Sequence, residues 1–183
     1  AASVLIATVS LIYTGFEFGL GNNVYHVPYV LSWDQLPRFH GNDFYQTLKY
    51  FTSAVWFLVR LVANEDNIER MFYAFHILSR VGTVFALLYL AWALGLNERL
   101  GLILVGFGVV LSPYLLAAYS GGHDLFHNYF SHTIVTWPFV LMALADSQLR
   151  RFRRAAVFAG LVFLVNAFVG IWLAFAFAAG AVL

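Results

Sequence analysis

Two apolar runs, residues 131–149 and 155–183, meet at Arg150-Arg151-Phe152-Arg153-Arg154, four guanidinium groups within five residues. A helix needs about 20 apolar residues to cross the hydrocarbon core of a bilayer. Arginines and lysines concentrated in a short loop mark its cytoplasmic side. The pattern predicts two membrane helices joined by a cytoplasmic turn. Composition agrees, because charged residues are 10% of the 183 and apolar ones 62%. A soluble domain carries about 25% charged residues, so too few remain here to cover a water-facing surface.

The same reading along the whole chain predicts an all-α, polytopic membrane protein with about five transmembrane helices. These fall at about 1–16, 69–96, 100–119, 131–149 and 155–183, in a single membrane domain. Uninterrupted runs of this length do not suit a membrane barrel, whose strands alternate over about ten residues. Residues 17–67 form a long external loop rich in aromatics. Within it, Tyr50 to Ala63 would rise only about 21 Å as a helix and is expected to be interfacial or re-entrant. Residue 1 is Ala, and the last run is still apolar at Leu183. Both ends read as those of a piece of a longer chain. The absence of cysteine excludes disulfides and thiolate metal sites, and a net charge of +1 offers nothing for nucleic acid.

With the arginine turn cytoplasmic, chemistry gathers on the other face. Glu17, Asp34, Asp43, Glu65, Asp66, Glu69 and Asp124, with all six histidines, fall at or near the external side. Glu17 stands where the first span ends, and a carboxylate at a half-dry boundary can act as a general base or simply mark the helix end. Asn22, Asn23, His26 and Pro28 form a compact group, followed by Asp34 and Asp43. Such side chains suit a hydroxyl-rich ligand or a hard cation, and equally suit turns and helix caps. His123, Asp124, His127 and His132 are the metal candidates, a set that suits zinc or another divalent ion as cofactor. The bland alternative is a set of interfacial histidines. Arg80 lies inside the second span with His76 one turn away. A buried arginine in a membrane helix either binds a phosphate or pairs within the protein. Asn166 and Thr133 suit hydrogen bonds between helices.

The order of four segments resembles the N-terminal part of the GT-C-type membrane glycosyltransferases and their bacterial relatives. These segments are Gly15-Phe16-Glu17-Phe18-Gly19 at the end of the first span, Asn22 to Pro28 with Asp34 and Gly41-Asn42-Asp43-Phe44, Ser131 to Pro138, and the arginine turn with the run after it. The resemblance implies transfer of a sugar from a polyprenyl-phosphate donor on the external face of the bacterial inner membrane. It makes Glu17 the base by position, or failing that Asp34 or Asp43. Asn23 and His26 would bind substrate, and Arg80 would sit near the donor phosphate. The chain departs from several members in lacking a paired acidic motif at Glu17. The rival reading is a non-catalytic accessory subunit, packed against lipid and other membrane subunits of a larger complex.

Overall fold

The computed structural model describes residues 1–47, 50, 53–115 and 126–182. Among them the chain is helical and contains no strand: α1 (Ala2–Thr14), α2 (Asn23–Val30), α3 (Asp43–Thr47), α4 (Ala54–Val62), α5 (Ile68–Ala93), α6 (Arg99–Leu115), α7 (His132–Gln148), α8 (Phe152–Val165) and α9 (Ala167–Val182), with two short 3-10 turns at Trp33–Gln35 and Pro37–Phe39.

The central element is α5, and its ends are written in the sequence. Asn64 accepts from the backbone N–H groups of Asp66 (3.0 Å) and Asn67 (3.1 Å), while Asn67 accepts from that of Asn64 at 2.7 Å. This reciprocal box fixes the turn into the helix. Glu69 in the first turn suits the positive end of the helix dipole. The exit is a Schellman turn. Gly95 takes a left-handed φ of 99°, its N–H reaches the carbonyl of Trp92, and that of Leu96 reaches Ala91, as the motif requires.

Among the described residues α5, with 26, is the one helix long and apolar enough to cross a bilayer. The helices α1, α6, α7, α8 and α9 have between 13 and 17 residues each. Length alone therefore assigns one span, where the sequence suggested about five.

Three contacts set α5 and α7 side by side and parallel. Phe72 meets Phe130 at 5.3 Å, Gly82 lies beneath Pro138, and Tyr89 bonds to Asp146. A Cβ on Gly82 would come within 3.2 Å of the Pro138 ring, so the missing side chain is what lets the proline of one helix sit on the other. α1 runs antiparallel to α5, with Ser10 and Thr14 against Arg80. Polar side chains share the interior with apolar ones, and many large apolar side chains face outward. His76, Arg80, Thr83, Thr136 and Asp146 are buried, whereas Ile12, Leu78, Leu104, Val157, Phe168 and Phe175 are exposed.

The run 155–183 departs from its expected single span. It is two helices, folded back on each other at Asn166. The backbone there is extended (φ −149°, ψ 96°). The Asn166 Oδ1 accepts the Val169 N–H at 3.3 Å and so caps α9, while its amide donates to Thr133 Oγ1 at 3.4 Å. Ser53 Oγ donates to the Val165 carbonyl at 2.7 Å, satisfying a group that the end of α8 leaves open. Gly170 lies directly against Phe163. Val162 and Leu173 then join Val140 and Ala143 in one core between the three helices. The segment expected to be interfacial contains α4, nine residues with Val55, Trp56 and Val59 buried.

The turn between α7 and α8 is a second Schellman motif. The N–H of Arg150 bonds to Ser147 O and that of Arg151 to Asp146 O. The left-handed position, held by glycine after α5, is here Arg150 with φ 56°. An L-residue in that conformation costs roughly 1–2 kcal/mol.

Candidate functional site

The end of the bundle at Glu17 carries two layers. The outer layer is Glu17, exposed just past the end of α1. Its N–H donates to the Asn128 carbonyl at 2.6 Å, and its carboxylate accepts from the Asn128 side-chain amide at 3.2 Å. The inner layer is Arg80, near the midpoint of α5 and only 4% exposed. Its guanidinium donates to Ser10 Oγ at 3.0 Å, to Thr14 Oγ1 and to the His127 carbonyl, and lies 5.4 Å from the centre of the Phe126 ring. Every one of these acceptors is neutral. Among the described residues no carboxylate pairs with Arg80. The adjacent residues His127 and Asn128 tie the two layers together.

Two spaces touch Arg80. One, of about 10 Å³, is lined by His76, Thr83, Phe126, His127 and Ile134, about the size that holds a single water. The other, about 60 Å³, is a mostly apolar groove between α1 and α5 lined by Val4, Ala7, Thr8, Leu11, Ile77 and Val81.

Asn23 and His26, expected to face a substrate, are sealed in the core instead, 0% and 1% exposed. Asn23 donates to the Phe130 carbonyl at 2.7 Å and accepts the Gly19 N–H at 3.2 Å, pinning the start of α2 to the segment before α7. His26 stacks on Trp56 at 3.9 Å and meets His132 edge-on at 5.3 Å. Burial first, and then the neighbouring His132, push the His26 pKa down to about 3.

The folded state therefore refuses a proton that the unfolded chain accepts below about 6.5. Stability from this residue is complete above pH 6.5 and falls by about 1.4 kcal/mol for each unit between there and about 3. Unfolding midpoints measured in one detergent from pH 7 to pH 4 should drop more steeply for the wild type than for His26→Phe. Parallel curves would exclude this coupling.

Asp34 lies in the first 3-10 turn beside a stack of Trp33, Phe39 and Tyr45, with one carboxylate oxygen buried and without a hydrogen bond. Asp43 is exposed at the start of α3. Among the described residues no hydrogen bond or ion pair joins Glu17, Asp34, Asp43 and His26. His123 and Asp124 lie outside the described residues. His127 is described, with its ring 5.4 Å from that of Tyr129. Among the described residues no three metal-ligating side chains gather.

Sequence reasoning missed Ser10, Thr14 and Asn128 as partners of the two charged groups. The four-residue spacing of Ser10 and Thr14 was the available signal, since it places both hydroxyls on one face of α1. It also missed the polar cluster at the other end of the bundle. There Tyr89 donates to fully buried Asp146 at 2.8 Å, Arg154 pairs with Asp146 at 3.1 Å, and Arg151 donates to the Tyr89 hydroxyl at 3.0 Å. No protein-family model, no curated protein and no solved structure matches the chain.

Proposed function

We propose that the chain is a polytopic membrane protein that acts as a GT-C-like glycosyltransferase, with the Glu17 end on the external face and the arginine turn in the cytoplasm. The exposed apolar helix faces support the membrane setting: large apolar side chains line the outside of the helices, while Arg80, Asp146 and several hydrogen-bonding side chains are inside. The observation that carries the activity is that Arg80 and Glu17 bond to adjacent residues of one segment, His127 and Asn128. Three of the five guanidinium donors meet neutral oxygens, which leaves both positive charge and donors for a phosphate.

The donor chain would lie in the mostly apolar groove between α1 and α5, which ends at Arg80. The acceptor hydroxyl would attack the anomeric carbon while Glu17 takes its proton. A new carbon–oxygen bond forms as the bond from that carbon to the phosphate oxygen breaks. The electron pair leaves with the phosphate, and Arg80 stabilises its charge.

Glu17→Gln should lower transfer from a polyprenyl-phosphate sugar by about 10²–10⁴-fold while the thermal midpoint stays unchanged. Full activity in that variant would remove Glu17 from the mechanism.

The closed packing of Asn23 and His26 favours a second reading, an accessory subunit. The exposed face of α9, with Phe168, Trp172 and Phe175, would then pack against a larger assembly. Purification in mild detergent separates the two. A stable complex with other subunits supports the second reading, and a lone active chain supports the first.

A further inference from the structure

The hairpin of α8 and α9 is pinched at one end and open at the other. Near Asn166 the backbones touch, with Gly170 on Phe163. At the arginine turn they part, leaving a groove of about 560 Å³ between α7, α8 and α9. On the α8 and α9 sides small residues form its walls (Ala155, Ala156, Ala176 and Gly180) with Phe177 and Phe152 beside them, and on the α7 side Leu144, Ser147 and Gln148 complete the lining. Phe152 also lines a second concavity of about 360 Å³, whose other walls are Arg150, Arg151, Arg153 and Arg154. This mostly apolar trough and the basic bowl meet at Phe152, which lines both.

The charge of the bowl is not cancelled. Asp146 is the one carboxylate there among the described residues, and it engages Arg151 and Arg154. Four positive charges against one negative leave three. Arg150 and Arg153 are exposed, with no ion pair among the described residues. Arg150 also occupies the left-handed position that Gly95 fills in the matching turn after α5. A cation stands where the backbone favours glycine, and strain of that kind gathers at functional sites.

We infer that this end of the hairpin is a binding site for one anionic phospholipid, its phosphate headgroup in the arginine bowl and an acyl chain in the trough. The commitment to a lipid rests on the two chemistries being contiguous: the bowl alone would take any phosphate, and the trough alone any hydrocarbon. The site rests on the membrane setting proposed above and is independent of Glu17 and Arg80.

The test uses the full chain purified in a neutral detergent at low salt. Binding of dioleoylphosphatidylglycerol is compared with that of dioleoylphosphatidylcholine by native mass spectrometry. The wild type should prefer the anionic lipid by about tenfold or more, as about 1 kcal/mol per arginine near a headgroup implies. Arg150→Gly should raise the thermal midpoint by removing the strain, yet weaken that preference. A merely structural arginine would not split the two readouts. Ala176→Trp fills the trough without altering charge, and should weaken phosphatidylglycerol binding while glycerol phosphate binding stays as it was.

Equal binding of both lipids overturns the site. So does glycerol phosphate binding as tightly as the whole lipid. A groove already filled by further polypeptide would bind neither lipid and ignore Ala176→Trp, which also overturns it. A chain that stays monodisperse without detergent and takes up no lipid would instead bring down the membrane setting itself.

Discussion

Trp56→Ala should lower the unfolding free energy by about 3–5 kcal/mol, the range for removing a large aromatic from a packed core. Trp56 is 1% exposed and is the hub of the cluster at the Glu17 end. It stacks on His26 at 3.9 Å, meets Phe130 edge-on at 5.4 Å and lies 5.8 Å from Phe72. Truncation removes partners from α2, α5 and the segment before α7 at once, and leaves a cavity that three separate elements would have to close. Its effect is therefore expected at the top of the range. Trp56→Phe keeps a ring in place and should recover most of the loss. Thermal midpoints in a single detergent measure both. An unchanged midpoint for the alanine variant would mean that α4 contributes nothing to the fold.

Gly170→Ala should destabilise the protein by about 1–3 kcal/mol, the cost of overpacking, through a single methyl group. The added carbon would lie 2.7 Å from the Cα of Phe163, and the obstacle is backbone rather than a movable side chain. The two helices must separate at their closed end for the methyl to fit. Gly160→Ala is the matched control. That glycine is also in the hairpin, within α8, but a Cβ there would meet nothing within 4 Å. Alanine should be favoured at that site by up to about 1 kcal/mol of helix propensity. Opposite signs in the thermal midpoint are the expected result. Two shifts of the same sign would show that Gly170 is not a contact point between the helices.

The helical class was legible because the apolar runs lack any twofold alternation and carry few breakers. The exit from α5 was legible only approximately, since the expected span runs to 96 and through Gly95, whereas the helix ends at Ala93. The reversal at Asn166 was not legible. One asparagine in a run of 29 residues weighs little against the length of that run. Its consequence depends on Thr133 and Phe163 lying opposite, which no local pattern reveals.

The charged pair at the candidate site was half legible. Glu17 and Arg80 stand out as acid at a boundary and cation in a span. What joins them is a segment 47 residues beyond Arg80, and such a closure leaves no trace in spacing. Asn23 and His26 show the opposite failure. A polar pair among aromatics reads equally well as a ligand cradle or as a satisfied core, and only the position of Trp56 and Phe130 decides between them. Asp146 leaves no signal of its own in the sequence, because its partners Tyr89 and Arg154 are on other elements.

α5 is fastened twice. Arg80 grips α1 and the His127 carbonyl, and nine residues on, Tyr89 grips Asp146. The fastenings are about 13.5 Å apart along the axis. A slip by one residue would swing both side chains through about 100° and break each fastening simultaneously, so α5 behaves as a keyed shaft that can neither turn nor slide in its seat. Any opening at the Glu17 end must then come from the lighter elements laid over it, α2 to α4, moving against a fixed axle.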